Sequence, residues 1–205
     1  MSDSEPAVAE IKAAAIARGR VRKRTNALTA ILCGGIPAAI LGALFPSRWE
    51  VWLAGFLVGL LWANGFEYAY HRFLLHLPKS FLAQRHLLHH ATVGTPEEAA
   101  HVNLGGSPVW VAWLFVINGV PVVAADLLLG LGVAPGILVG FAVYFLAVEE
   151  MHWRIHVGGW LPPGLHFARP YHMAHHDRPD ERFSVFLPIF DWLFGPRCQS
   201  PATRH

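Results

Sequence analysis

Residues 51–76 read VWLAGFLVGLLWANGFEYAYHRFLLH. As far as Phe66 the run is free of charge and reads as a helix that belongs in hydrocarbon. From Glu67 its character changes. Glu67, His71 and His76 arrive where the chain leaves the apolar run. Imidazoles carried to that boundary need a reason, and the rest of the chain supplies it in parts.

The composition points to a bilayer as solvent. Of the 205 residues, 54% are hydrophobic and only 15% charged, against about 25% charged in soluble domains. A formal net charge of +2 offers no basis for a nucleic-acid partner. Histidine is the unusual feature, with 13 copies. The two cysteines, Cys33 in an apolar run and Cys198 near the end, lack metal-type spacing, and no disulfide is expected between them.

Apolar runs cover residues 26–47, 51–66, 108–125 and 127–148. They predict an all-α fold of four transmembrane helices capped by histidine-rich helices. Asp126 and GLGVAPG mark a tight turn between the last two runs, and Pro121 is expected to kink the third. Residues 1–24 form a separate N-terminal segment, either a short helix on the membrane surface or a solvated tail, and residues 25–205 form the integral-membrane domain. The first run lacks a cleavage site and reads as a retained anchor. Arg18, Arg20, Arg22, Lys23 and Arg24 precede it, so the positive-inside rule places the N-terminus in the cytoplasm. Four spans bring the C-terminus back to the same face, and with it every histidine.

Ten histidines fall into four boxes. His71 and His76 are H-x-x-x-x-H; His86, His89 and His90 are H-x-x-H-H; His152 and His156 are H-x-x-x-H; His172, His175 and His176 are H-x-x-H-H. Residues three and four apart share a helix face, so each box except the first points its rings one way. The first needs the helix to loosen or end near His76, and Pro78 offers an ending. Imidazoles converging at one end of a bundle repel when protonated and lack partners when neutral and dry. A metal resolves both problems, and ten ligands suit two ions. Imidazole accepts iron, zinc, copper or nickel. Glu67, Glu149 or Glu150, and Asp177 are candidates to orient ligand rings from behind, with Glu149 preferred over Glu150 because it lies three residues before His152. His101 reads as a residue near the second box that could support it, His166 as interfacial, His205 as terminal. Arg72 and Arg85 read as headgroup anchors.

The order of these boxes, with EYAYHRFLLH first and FSVFLPIFDWLFG after the last, resembles the membrane fatty acid hydroxylase superfamily over roughly residues 50–195, and its fatty acid 2-hydroxylase branch most. Carotenoid hydroxylases usually space the third pair wider, so HWRIH leans toward the lipid hydroxylase branch. The resemblance implies a non-haem di-iron oxygenase with His71, His76, His86, His89, His90, His152, His156, His172, His175 and His176 as ligands. It implies dioxygen as co-substrate and a lipid hydroxylated in the membrane. Eukaryotic members often carry a fused haem domain; the segment before the first span is too short for one, so a separate electron-donor protein is expected. Zinc binds such sites as well as ferrous iron does, and a purified sample can carry it. Phe183, Phe186, Phe190, Trp192 and Phe194 would line the lipid entrance or anchor the chain at the interface. Hydroxylation of a carotenoid or sterol ring, desaturation, and metal transport are the rival readings. Transport would call for polar groups along the spans, where few are found.

Overall fold

The computed structural model describes residues 4–76, 81–104 and 106–195. Among these every regular element is helical: α1 (Ser4–Leu44), α2 (Trp49–Tyr70), a π-helical turn (His71–Leu75), α3 (Phe81–Thr92), α4 (Glu98–His101), α5 (Pro108–Leu129), α6 (Ala134–Val157), α7 (Ala168–Asp177) and α8 (Ile189–Phe194). Four helices are long and apolar enough to cross a membrane, Glu5–Leu44, Trp49–Leu75, Pro108–Leu129 and Ala134–Val157. Cys33 is free; Cys198, His205 and Pro78 lie outside the described residues.

Two of the sequence boundaries move. The fourth span is Ala134–Val157, not 127–148. Residues 127–129 finish α5, which ends on Gly130 in the left-handed conformation (φ 65°). Asp126 sets the turn: its carboxylate accepts the N–H groups of Val133 and Ala134 at 2.9 and 3.2 Å, capping the start of α6. Glu149 and Glu150 do not end α6 either. Glu150 is neutralised by Lys23 (2.7 Å) and Arg154 (2.6 Å), and the helix continues through His156.

The first helix also differs. It runs unbroken from Ser4 through Pro37 to Leu44, across the boundary expected at residue 24. Its 41 residues would extend about 60 Å, twice the hydrocarbon thickness. The basic half therefore projects beyond the apolar layer. There Ala15 is fully buried, and a Cβ on Gly19 would meet Ala99 O and the Trp153 ring. Arg18 pairs with Glu97 at 2.6 Å, and Asn103 Nδ2 donates to Gly19 O at 3.2 Å. The projecting half of α1 is thus bolted to α4 and α6.

At the centre α2 lies against α6 through small residues. A Cβ on Gly59 would sit 2.4 Å from Ile137 O, and one on Gly136 would sit 2.2 Å from Trp52 O. Gly55 and Gly59 face Gly136 and Gly140 in a reciprocal small-x-x-x-small contact, which lets backbones approach where lipid leaves no hydrophobic drive. This contact matters for the site, because α2 leads into the first histidine box and α6 carries the third.

Candidate metal centre

Each box sits on a helix end. The first begins where α2 passes into the π turn His71–Leu75, with His76 closing it. Residues five apart diverge in an α-helix, but i→i+5 hydrogen bonding brings them nearly into line. The His71 and His76 rings stack at 5.0 Å between centroids. His86, His89 and His90 lie on α3, His152 and His156 on the last turns of α6, and His172, His175 and His176 on α7.

The ten rings divide into two groups of five. His71, His76, His86, His90 and His175 form one; His89, His152, His156, His172 and His176 form the other. Within each group, one ring nitrogen per residue lies within 4.8 Å of all the others. Boxes two and four are each split: adjacent residues on α3 and α7 serve different groups. The groups adjoin, with the His90 and His176 rings 4.3 Å apart.

The spacing inside the groups identifies what they suit. His86 Nε2 lies 2.9 Å from His71 Nε2, 3.1 Å from His76 Nε2 and 2.9 Å from His90 Nε2. His172 Nε2 lies 2.9 Å from His152 Nε2, 3.1 Å from His156 Nε2 and 3.1 Å from His176 Nε2. A single N–H can serve one such contact, not three. Elsewhere the ring tautomers are set from behind. His71 Nδ1 meets the Phe183 carbonyl, and His175 Nδ1 lies 2.7 Å from the Glu181 carbonyl. A carbonyl only accepts, so each Nδ1 carries the hydrogen and each Nε2 turns a lone pair inward. Lone pairs facing one another at 3 Å repel unless a cation lies between them. Nitrogens bound about 2.1 Å from one ion at right angles stand about 3 Å apart, which these edges match. Nε2 of His89 and of His175 is buried without a hydrogen-bond partner among the described residues. An all-imidazole donor set fits iron or zinc.

Burial, and then the neighbouring imidazoles, hold His86, His89 and His172 well below the usual histidine range. The same causes bring His76 down to about 4 and His90 to about 3. Neutral rings are the form a metal needs.

The outer partners are mostly ones that the sequence does not single out. His156 Nδ1 donates to Glu98 Oε1 at 2.8 Å, from a fully buried side chain. Burial alone would raise the Glu98 carboxyl, but hydrogen bonds from His156 and the Gly94 N–H hold it below the usual range. Glu67 acts at one remove: it accepts from Tyr144 Oη at 2.6 Å and from the Val185 N–H at 2.8 Å. Asp191 accepts the N–H groups of Phe183 and Ser184 at 2.9 and 2.7 Å. Together these carboxylates pin the 183–185 strap whose carbonyl orients His71. Phe183 itself packs edge-on against His71 and His76 and at a tilt against His175. Glu149 is 4% exposed beside His152. Asp177 is exposed at the end of α7, and no hydrogen bond or ion pair joins it to a box histidine among the described residues. Being adjacent to His176 in sequence places it about 100° around the helix, away from the cluster. His166 is exposed too. Trp192 and Phe194, at 73% and 62% exposure, lie outside the strap as surface aromatics.

Two cavities reach the groups. One, of about 230 Å³, is lined by Arg22, Arg85, His101 and Asn103 together with His86 and His89. The second, an apolar slot of about 60 Å³, lies among Phe66, Leu114, Phe141, Phe145 and Val148 and ends on His71. Tyr70, Leu75 and Leu104 line both.

Residues 56–196 match the fatty acid hydroxylase family. A solved structure described as full-length Scs7p, with only the hydroxylase domain visible, superposes with a TM-score of 0.58 at 26% identity, over 81% of this chain. The chain spans 61% of the length of that one. No curated protein matches it.

Proposed function

The chain belongs to the fatty acid hydroxylase family, and on that premise we propose that it is a di-iron membrane oxygenase that hydroxylates a lipid acyl chain near its headgroup, as in the 2-hydroxylase branch. The observation that carries the reading is the division of ten imidazoles into two five-membered groups with ligand-edge spacing. When bound, two iron ions supply the redox chemistry needed to activate dioxygen, which no side chain offers. Zinc fits the same rings but has no redox chemistry, so its presence in a purified sample is no argument for hydrolysis.

In the balanced reaction one oxygen atom enters a carbon–hydrogen bond. The other leaves as water, taking two electrons and two protons from a separate donor protein. The chain's own residues position and enclose. The slot that reaches His71 would hold the acyl chain against the first group, and its narrowness favours an unbranched chain over the rings of a sterol or carotenoid. Phe183 covers the first group and keeps water off it. The carbonyls of Phe183 and Glu181 and the Glu98 carboxylate fix the rings, so that little reorganisation follows lipid entry. The basic segment Arg18–Arg24 supports a cytoplasmic N-terminus, and with four helices long enough to span, the histidine groups and the C-terminus would lie on that side too.

The test is product analysis. Lipid extracts from cells expressing the chain should contain an acyl lipid heavier by one oxygen atom, absent with the His86→Ala or His175→Ala variant. A product lighter by two hydrogens would make it a desaturase. Full activity without either imidazole would overturn the reading.

A further inference from the structure

We propose that the cavity between α1, α3, residues 101–104 and Gly106 binds the anionic headgroup of the lipid, so that the substrate is an acidic lipid rather than a neutral one. The inference rests on the hydroxylase reading for what happens to the lipid, but not for its binding. Arg22 and Arg85 both line this cavity, and no aspartate or glutamate does. Of the other cations around the cap, Arg18 pairs with Glu97, Lys23 and Arg154 share Glu150, and Arg178 pairs with Glu181; Arg72 and Arg169 donate to main-chain carbonyls and Arg182 lies over the Tyr171 ring, and none of these three lines the cavity. Arg22 and Arg85 have no carboxylate partner among the described residues. Arg22 is held in place by donating to Ala100 O at 3.3 Å. Arg85 lies over Gly106, where a Cβ would come 2.9 Å from its Nη1; Gly106 adopts φ +66° and leaves that space open.

The surroundings give the headgroup a direction. Leu82 and Leu88 line the cavity, Leu88 is 44% exposed, and its chain neighbour Leu87 is exposed as well. This apolar rim opens the cavity sideways to lipid. Tyr70, Leu75 and Leu104 line both this cavity and the apolar slot, so the two adjoin. A lipid whose anion rests on the arginines therefore sends its first carbons past His86 and His71, and its tail between α2, α5 and α6. Oxidation next to the headgroup follows from that order of contacts. Two guanidinium groups recognise carboxylate and phosphate alike.

The experiment measures equilibrium binding of three radiolabelled lipids of equal chain length to the full chain in uncharged detergent: palmitate, hexadecyl phosphate and the neutral palmitamide. One or both anions should bind about tenfold more tightly than palmitamide, as expected for charge-assisted hydrogen bonds; which of them does so tells carboxylate from phosphate. Arg85→Gln and Arg22→Gln should remove most of that advantage and leave palmitamide binding unchanged, while Arg85→Lys retains part of it. Metal content and thermal midpoint, measured alongside, show that the variants are folded. Equal binding of all three lipids, equal weakening of all three by the variants, or inorganic phosphate alone binding as tightly as the lipid anions would overturn the proposal. Binding needs neither dioxygen nor electrons. Lost selectivity with product formation intact defeats only the headgroup assignment; selective binding with no oxygenated product defeats only the hydroxylase reading.

Discussion

The two histidine groups hold the same number of rings but are supported by different chemistry. Behind the first stand main-chain carbonyls, Phe183 O on His71 and Glu181 O on His175. Behind the second stands a carboxylate, Glu98 on His156. A carbonyl orients a ring and adds no net charge. A carboxylate orients it and adds a negative charge that favours a bound cation. Burial does not separate them, because each group has three buried and two half-buried histidines. The second group should hold its ion more tightly, and the first should exchange it and meet the lipid, whose slot ends on His71.

The largest effects come from the ring at the middle of each group. His86→Ala and His172→Ala should each reduce product to background. Metal analysis should show each losing one ion of the pair, and a chelator should strip the survivor faster from His172→Ala, which keeps the carbonyl-backed group. Glu98→Ala comes next. It should weaken metal binding at the second group by about 10–100-fold and leave the first unchanged, as read by competition with a chromophoric chelator. Equal weakening of both groups would erase the asymmetry.

Acidification should destabilise the metal-free protein, read as a falling thermal midpoint between pH 7 and pH 4. His76 and His90, held at about 4 and about 3, stay neutral in the fold, whereas in the unfolded chain they gain protons below about pH 6.5. The unfolded state then binds more protons, so their stabilising contribution is complete above about 6.5 and is lost as pH falls toward those values. Loading with metal should flatten that slope. The smallest effect is expected from Tyr144→Phe, which removes the 2.6 Å bond to Glu67 but leaves Glu67 on the Val185 N–H. A loss of about 1–2 kcal/mol, seen as a lower thermal midpoint with the second group's metal retained, would locate Tyr144 in the support of the first.

Much of this was legible in residue spacing. The apolar runs announce four long helices, and three- and four-residue intervals announce shared faces. The partition was not: His89 and His90 are neighbours, yet about 100° of helix rotation sends them to different groups. The π turn that brings His76 into line with His71 has no signature in HRFLL. Glu98 and Phe183 support rings far away in sequence and Glu181 supports one six residues back, and only tertiary packing selects them over Asp177, which sits beside a ligand candidate and is exposed. The basic stretch from Arg18 to Arg24 reads as a topology signal. In the fold it also pins α4, through Arg18 and Glu97, next to the residue that supports His156.

Anomalous X-ray diffraction from crystals of the protein loaded with iron would test the central claim most directly. The account expects two peaks, one within coordination distance of His71, His76, His86, His90 and His175 and the other of His89, His152, His156, His172 and His176. A single peak shared by both sets of rings, or metal bound away from them, would contradict it.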